Sequence, residues 1–255
     1  MIPEINIGPL ALQTFGLMFA LGAIAGGALI WRRLEELDKP PDWAYEAVFA
    51  ALIGGMVGAR AYWLIDNSAE LGGDLLGNLF SGSGLTWYGG VIGGALAALG
   101  WGWFRRFPVL QLADLAAPAL LLGQAIGRIG CQLSGDGDYG KDWDGPWAMA
   151  YPDGVVPIDT PVHPTPVYEM LSLGFGAWLL WRLRDRFLPG LLFAFYLVYA
   201  GLTRFLVEFV RRNEQVLGGL TEAQLFSIAM IVVGCAWVAV VRLRQGRITR
   251  PARAA

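Results

Sequence analysis

Three arginines interrupt long apolar stretches of this sequence and could together bind an anion. Arg128 lies in the segment GRIG, residues 127–130, at the far end of an apolar run, and Arg60 and Arg204 occupy similar places in two other runs. A fixed positive charge at the edge of hydrocarbon is costly and usually has an anionic partner. Guanidinium groups match phosphate oxygens in a two-pronged geometry. The three arginines therefore predict a site for an anionic headgroup.

Two of these arginines also have a purely structural interpretation. Arg128 could extend its side chain to the membrane surface or pair with Asp136. Arg204 and Glu208 are four residues apart, so they share one helix face. That pair could be an intramembrane ion pair without a ligand, or Glu208 could orient Arg204 towards a phosphate.

Tyr88 and His163 are the candidates for proton transfer. Tyr88 begins an apolar segment just before Gly89 and Gly90, where tyrosine ordinarily acts as an interfacial anchor. Arg60 could either bind an anion or help to hold Tyr88 or Asp66. His163, the single histidine, precedes a proline, and this arrangement fits a helix entry as well as a general base. The usual ligand set of a zinc site is absent, so we expect no metal and no cofactor.

The apolar segments determine the predicted fold. Hydrophobic residues make up 55% of the chain and charged residues 16%, with a mean hydropathy of +0.48, which argues against a soluble α/β domain. Each segment approaches the roughly 20 residues needed to cross a bilayer. The sequence predicts an all-α integral membrane protein with about seven transmembrane helices in a single polytopic domain, residues 1–255. The segments are residues 10–31, 44–65, 86–104, 110–131, 166–182, 189–210 and 221–241.

The distribution of basic residues predicts the orientation. Short cytoplasmic connections retain an excess of Lys and Arg, which places the N-terminus outside and the C-terminus in the cytoplasm. The first apolar segment lacks the basic flank of a signal peptide and is expected to remain as a helix. A net charge of −2 gives no reason to expect nucleic acid binding. The basic connections contain Arg32, Arg33, Lys39, Arg105, Arg106, Arg182, Arg184, Arg186, Arg242, Arg244, Arg247, Arg250 and Arg253.

Other polar and small residues lead to further expectations. Two outer connections, residues 67–86 and 132–165, are candidate interfacial arms, because long connections are usually functional or disordered and the second contains several aromatic residues. Asp114 is expected to cap the start of the fourth helix. Glycine clusters within the apolar segments indicate close helix packing, although glycines beside Tyr88 and Arg128 could also line a polar cavity.

Taken together, these segments resemble the prolipoprotein diacylglyceryl transferases over nearly the whole chain. The resemblance implies seven helices in the bacterial cytoplasmic membrane. It also implies transfer of the diacylglyceryl group of phosphatidylglycerol to the lipobox cysteine thiol of a prolipoprotein, which yields a thioether and glycerol 1-phosphate. The matching positions, in family order, are Gly54-Gly55 to Tyr62, Tyr88-Gly89-Gly90, Ala113-Asp114 with Pro118, Gly127-Arg128-Ile129-Gly130, His163-Pro164 with Tyr168-Glu169, and Arg204-Phe205 with Glu208.

The resemblance also implies roles for individual residues. Arg128 matches the family's phosphatidylglycerol-binding arginine, and Arg204 its second essential arginine. Some positions depart from the family pattern. Tyr88 stands where well-known members have a histidine, and Cys131, Ser134, Asp136 and Phe15 replace Asn, Asn, Glu and Tyr. The expected catalytic residues are Arg128, Arg204, Tyr88 and Glu208, and the expected substrate-binding residues are Arg128, Arg60, Gly89, Gly90, Cys131, Ser134, Asp136, Gly140 and His163.

Two alternatives to this function follow from the same sequence. The changed signature residues fit a related membrane transferase that uses a different lipid or acceptor. Charges near helix ends also occur in lipid or solute transporters, although the sequence shows no repeat-related halves. Formation of a lipidated product would distinguish an enzyme from a carrier.

Overall fold

The computed structural model describes residues 1–8, 10–68 and 86–250, and most of these residues are helical. Most of the predicted arm at 67–86 lies outside the described residues. Seven long helices follow the predicted apolar segments along the described chain. They are α1 (Thr14–Glu36), α2 (Trp43–Asp66), α3 (Trp87–Phe104), α4 (Val109–Ser134), α5 (Thr165–Leu183), α6 (Leu191–Val207), which a 3₁₀ turn (Glu208–Val210) extends, and α7 (Glu222–Gln245).

Five of the seven helices are long and apolar enough to cross a membrane, namely α1, α2, α4, α6 with its 3₁₀ turn, and α7. The other two contain 18 and 19 residues. Of these two, α5 carries the charged residues Glu169 and Arg182. Within the part of the chain that it describes, the structure thus supports a mostly helical fold with five candidate membrane spans.

A short β-hairpin precedes α1, which corrects the expectation of a helical segment from residue 10. Strands β1 (Glu4–Ile7) and β2 (Leu10–Gln13) pair antiparallel. Gly8 has a φ of 62°, a conformation that glycine adopts without a steric penalty. The buried Thr14 sets the boundary, because its hydroxyl donates to the Ile2 carbonyl at 2.5 Å and its amide donates to the Pro3 carbonyl at 2.9 Å. Hydropathy alone did not distinguish the strand from the helix.

The connection after α4 is folded over most of its length. Strands β3 (Met149–Tyr151) and β4 (Ile158–Val162) pair antiparallel. The Tyr139 and Tyr151 rings stack with centroids 5.1 Å apart. Both rings are buried with Val162, so this connection has a small core of its own. A third antiparallel pair, β5 (Gln215–Leu217) and β6 (Leu220–Thr221), leads into α7.

The chain divides into two compact units, Met1–Leu29 with Ala113–Ala255 and Ile30–Leu112. In the larger unit α1 approaches α4 closely, since a Cβ atom added to Gly22 would lie 3.0 Å from the Gly123 carbonyl oxygen. Helices α4, α5 and α6 share a buried apolar core. Its buried members are Ala117, Leu121, Ala125, Leu173, Ala177, Leu180, Leu192, Tyr196 and Ala200.

Asp114 caps a helix other than the one expected. It lies inside the first turns of α4, and its carboxylate accepts hydrogen bonds from the backbone amides of Gly190 at 2.7 Å and Phe193 at 3.0 Å. These amides belong to the N-terminus of α6, whose own N-cap residue is Gly190. Because glycine has no side chain to accept these bonds, Asp114 supplies the capping oxygens from another helix.

In the smaller unit, glycines bring α2 and α3 into backbone contact. A Cβ atom added to Gly54 would lie 2.7 Å from the Gly93 carbonyl oxygen, and one added to Gly58 would lie 2.7 Å from the Gly93 Cα atom. Gly89 faces the Gly58 carbonyl oxygen in the same way. The packing interpretation of these glycines is therefore confirmed for this helix pair.

We expect Gly89→Ala to destabilise the protein by about 1–3 kcal/mol, because the new methyl group would overlap the Gly58 backbone and the Tyr62 side chain. Gly100→Ala on the same helix is the matched control, since nothing lies within 4 Å of its added Cβ atom. That control should be neutral or slightly stabilising, because alanine favours helix more than glycine. Thermal unfolding in detergent measures both, and equal unfolding temperatures would contradict the prediction.

Candidate active site

Six charged side chains meet in the larger unit where α4, α5 and α6 end or begin. Three are arginines and three are carboxylates, and each carboxylate contacts at least one of the arginines. Such groups are rarely buried near a membrane unless they are paired or functional. We call this group the ion-pair cluster. Its members are Arg128, Asp138, Glu169, Arg204, Glu208 and Arg211.

Glu169 joins the three arginines of the cluster. It lies near the start of α5 and is only 3% exposed. One carboxylate oxygen lies 3.2 Å from Arg204 Nη1. The other lies 3.1 Å from both Arg128 Nε and Arg211 Nη1. One buried carboxylate therefore sets the relative positions of guanidinium groups from three segments of the chain.

The predicted pair of Arg204 and Glu208 is present at the end of α6. Arg204 Nη2 lies 2.9 Å from Glu208 Oε2. The other Glu208 oxygen accepts hydrogen bonds from the Thr221 hydroxyl at 2.9 Å and from Asn213 Nδ2 at 2.5 Å. Hydrogen bonds from the segment that leads into α7 thus hold Glu208 in place, so that it can fix the orientation of Arg204.

Arg211 and Asp138 complete the cluster. The Asp138 carboxylate accepts hydrogen bonds from Arg128 and Arg211. The side chain of Arg211 is 7% exposed, compared with 25% for Arg128 and 27% for Arg204. Arg128 and Arg204 are therefore the more accessible side chains for an incoming anion. Arg211 is placed to hold the carboxylates.

Asp138 gives the site a pH-dependent contribution to stability. Burial by itself would raise the pKa of this carboxyl, but the guanidinium groups of Arg128 and Arg211 outweigh burial and hold the pKa below its ordinary value of 3.8. The stabilisation is therefore present above pH 3.8 and is lost as the pH falls through the lowered pKa of the folded state.

We expect the unfolding temperature of the wild-type protein to fall when the pH drops below 3.8, and to fall less steeply in Asp138→Asn. Asp153→Asn, an exposed position in the same connection, is the control and should follow the wild-type curve. Thermal unfolding in detergent across this pH range measures the effect. Parallel curves for wild type and Asp138→Asn would contradict it.

Three of the predicted binding residues lie between Arg128 and Asp138, with Cys131 and Ser134 at the end of α4 and Asp136 in the turn that follows. Cys131 is buried, with its sulfur 3.6 Å from Arg128 Nη1. The buried Ser134 hydroxyl donates to the Cys131 carbonyl at 3.4 Å. Asp136 accepts the Asp138 amide at 3.3 Å. These contacts shape the turn around Arg128.

Gly140 and His163 support the cluster from the adjacent connection. The Gly140 amide donates to the His163 carbonyl at 2.8 Å, and Arg212 Nε donates to the Gly140 carbonyl at 2.8 Å. The His163 ring stacks on Trp143 with centroids 4.4 Å apart, and its Nδ1 lies 3.2 Å from the Tyr168 hydroxyl. These contacts fit the helix-entry interpretation of His163.

Cys131, Asp136 and Asp138 could in principle hold a metal ion, because one ligand atom from each lies within 4.8 Å of the others. However, Asp138 already accepts hydrogen bonds from Arg128 and Arg211. A cation at this position would have to displace both guanidinium groups. The geometry therefore fits a partner for arginine better than a metal centre, and the expectation that no metal binds stays a prediction.

The remaining predicted residues lie in the smaller unit. Tyr88 and Gly89 are in the first turn of α3, and the Tyr88 ring contacts Trp87 edge-on with centroids 5.3 Å apart. Gly90 donates its amide to the Thr86 carbonyl at 3.1 Å. Arg60 is buried, with its guanidinium 4.6 Å from the centre of the Trp63 ring.

Comparison with known proteins gives a consistent result. A family model described as prolipoprotein diacylglyceryl transferase matches residues 4–240. Three relatives named phosphatidylglycerol-prolipoprotein diacylglyceryl transferase match most of both chains. A protein of Pseudomonas fluorescens (strain Pf0-1) is 34% identical over 242 residues, which cover 89% of this chain and 88% of the relative. One from Pseudomonas putida (strain KT2440) is 35% identical over 243 residues, 89% of each chain.

The third relative comes from another genus. A Clostridium perfringens (strain 13) protein, whose name carries the number 2, is 30% identical over 229 residues, which cover 88% of this chain and 89% of the relative. The matched region includes every member of the ion-pair cluster, since all of them lie between residues 4 and 240. The chain belongs to the prolipoprotein diacylglyceryl transferase family.

Proposed function

We propose that Arg128 and Arg204 hold the phosphate of phosphatidylglycerol while its diacylglyceryl group passes to the lipobox cysteine of a prolipoprotein. Family membership gives the reaction and its two substrates. The observation that carries the site assignment is the shared contact with Glu169, which positions the guanidinium groups of two partly exposed arginine side chains from different helices. Two such groups can present paired N–H donors to phosphate oxygens.

The chemistry suits a cationic site without a metal. A sulfur–carbon bond forms as the thiol attacks the carbon that carries the phosphate ester, and the carbon–oxygen bond breaks. The electron pair of that bond leaves with glycerol 1-phosphate, and the thiol proton passes to a base. Negative charge therefore grows on the leaving phosphate, where Arg128 and Arg204 stabilise it. Glu208 orients Arg204 throughout.

Tyr88 is our candidate for positioning or deprotonating the incoming thiol. It occupies the place of the family histidine by resemblance, and an ionised tyrosine needs a neighbouring cation, for which Arg60 is the candidate. Unchanged peptide turnover in Tyr88→Phe would exclude this role. The other substrate-binding residues that we propose are Gly89, Gly90, Cys131, Ser134, Asp136, Gly140 and His163.

The membrane arrangement is part of the proposal. Seven crossings of the bacterial cytoplasmic membrane, with the N-terminus outside and the C-terminus in the cytoplasm, agree with the distribution of basic residues. The protein then forms one polytopic domain over residues 1–255. Residues 67–86 and 132–165 act as interfacial arms, and the second of these lies beside the acceptor protein.

The test is mass spectrometry of a lipobox peptide incubated with purified protein and phosphatidylglycerol. We expect a diacylglyceryl adduct on the cysteine with wild-type protein, and loss of that adduct with Arg128→Gln. Arg105→Gln is the matched control, because Arg105 pairs with Glu46 in the smaller unit, and it should retain turnover. An Arg128→Gln variant with full lipid-dependent turnover would overturn the site. Folded wild-type protein that forms no adduct would overturn the function.

A further inference from the structure

One buried hydroxyl connects the start of α7 to the ion-pair cluster. Thr221 is the N-cap residue of α7 and is 6% exposed. Its hydroxyl accepts the Gln224 amide at 3.2 Å, and the Gln224 side chain accepts the Thr221 amide at 3.1 Å, which is a capping box. The same hydroxyl lies 2.9 Å from Glu208 Oε1. The Thr221 side chain therefore contacts both the helix that it caps and a carboxylate of the cluster.

The direction of these two hydrogen bonds follows from the groups involved. A backbone amide can only donate, so the Thr221 oxygen accepts from Gln224 and its single proton is left for the Glu208 carboxylate. Capping alone does not require that proton. Aspartate is as good an N-cap residue as serine or threonine, but an ionised carboxylate has no proton to donate. The hydroxyl of Thr221 thus meets a second requirement, which Glu208 sets.

Helix packing fixes where this hydroxyl lies. A Cβ atom added to Gly201 of α6 would lie 2.9 Å from the Ser227 carbonyl oxygen of α7, and one added to Gly234 of α7 would lie 2.7 Å from the Ala194 carbonyl oxygen of α6. The two helices are therefore in backbone contact at two levels. The start of α7 cannot move relative to α6 without loss of these contacts, so Thr221 is held beside the end of α6.

Glu208 transmits the position of Thr221 to Arg204. One Glu208 oxygen accepts from Thr221 and from the exposed Asn213, and the other lies 2.9 Å from Arg204 Nη2. The Glu208 residue is only 3% exposed, so water has little access to replace either contact. The two oxygens belong to one rigid carboxylate. A rotation that broke the bond to Thr221 would also move the oxygen that contacts Arg204.

We propose that Thr221 is a positioning residue for the transfer reaction, because its hydroxyl holds Glu208 in the orientation that directs Arg204 at the lipid phosphate. The inference rests on the proposed function for the role of Arg204. Negative charge on the leaving phosphate grows towards the transition state, so a misaligned guanidinium group loses more interaction there than in the substrate complex. Loss of the hydroxyl therefore lowers kcat more than it raises KM.

The test measures lipidation of a lipobox peptide at varied phosphatidylglycerol concentration. Thr221→Gly removes the donor but keeps an accepted N-cap residue. We expect kcat to fall about tenfold, as loss of one hydrogen bond to a charged group would, with a smaller change in KM. Thr221→Ser keeps the hydroxyl and should retain the wild-type kcat. Ser227→Ala is the control, because this buried hydroxyl donates to the Ala223 carbonyl within α7, and both constants should stay at their wild-type values.

A second measurement needs no turnover. Thermal unfolding in detergent of Thr221→Gly, Glu208→Gln and the double variant forms a double-mutant cycle. A hydrogen bond to a neutral amide oxygen is weaker than one to a carboxylate. Thr221→Gly should therefore lower the unfolding temperature less in Glu208→Gln than in the wild-type protein. Equal decreases in the two backgrounds would overturn the contact on which the proposal depends.

These outcomes separate the inference from the proposed function. If wild-type protein modifies the peptide and folded Thr221→Gly has the same kcat, the reaction stands and the role of Thr221 is wrong. A loss of kcat in Thr221→Ser as large as that in Thr221→Gly would also overturn the role of the hydroxyl. If wild-type protein forms no adduct but the unfolding cycle is non-additive, the contact between Thr221 and Glu208 stands and the proposed function is wrong.

Discussion

Glu169→Gln is expected to reduce diacylglyceryl transfer at least about 100-fold and to destabilise the folded protein by about 3 kcal/mol. Glutamine has nearly the shape of glutamate, but it presents an amide donor where the carboxylate accepts from Arg128, Arg204 and Arg211. Three buried or half-buried cations would then share two carboxylates. Their repulsion would move the two guanidinium groups that we assign to the phosphate.

The matched control is Glu46→Gln in the smaller unit. Glu46 pairs with Arg105 and accepts a hydrogen bond from Trp101 Nε1 at 2.9 Å, but its side chain is far more exposed than that of Glu169. Exposed ion pairs contribute at most about 1 kcal/mol, so this variant should keep its turnover. Peptide lipidation by mass spectrometry and thermal unfolding measure both variants. Wild-type turnover in Glu169→Gln would show that the cluster does not need its central carboxylate.

Arg211→Gln is expected to weaken the enzyme for a different reason. Arg211 has almost no exposed surface, and it contacts Asp138 and Glu169 and lies 4.0 Å from Glu208. Without it the surplus negative charge of these carboxylates lies beside Arg128 and Arg204 and competes with the lipid phosphate. We expect KM for phosphatidylglycerol to rise at least about tenfold and stability to fall by about 3 kcal/mol.

The neighbouring residue provides the control for Arg211. Arg212 pairs with Asp142 at the surface and donates to the Gly140 carbonyl, so Arg212→Gln should cost about 1 kcal/mol or less. Kinetics at varied lipid concentration distinguish the two variants. If Arg211→Gln and Arg212→Gln raised KM equally, the effect would come from loss of surface charge and not from the cluster.

Sequence reasoning located the helices well because lateral burial in lipid requires continuous apolar segments of nearly fixed length. It failed at the N-terminus, where β2 has the same hydropathy as the start of a helix and only its pairing with β1 defines it. It also predicted that Asp114 caps α4, whereas its carboxylate caps α6. The amides that this carboxylate binds are 76 and 79 residues away, and no local pattern connects them.

For the candidate site, the spacing of residues along the sequence predicted only the contact within one helix. Arg204 and Glu208 are one helical turn apart, so their pairing could be predicted. Glu169 and Arg211 were missed because their partners lie on other helices. Glu169 appeared only among the residues that match the family, and no expectation was attached to Arg211. The sequence did offer one signal for Glu169. A carboxylate near the start of a predicted membrane helix requires a cationic partner.

The ion-pair cluster has equal numbers of guanidinium and carboxylate groups among the described residues. Its charges therefore sum to zero when all six are ionised, and beyond a few ångströms its field largely cancels. Anionic lipids would gain little long-range attraction to it, and added salt, which screens distant exposed charges, should alter lipid binding only weakly. Recognition of the phosphate would then depend on hydrogen-bond geometry at contact, so a lipid is selected by how its phosphate docks and not by its overall charge.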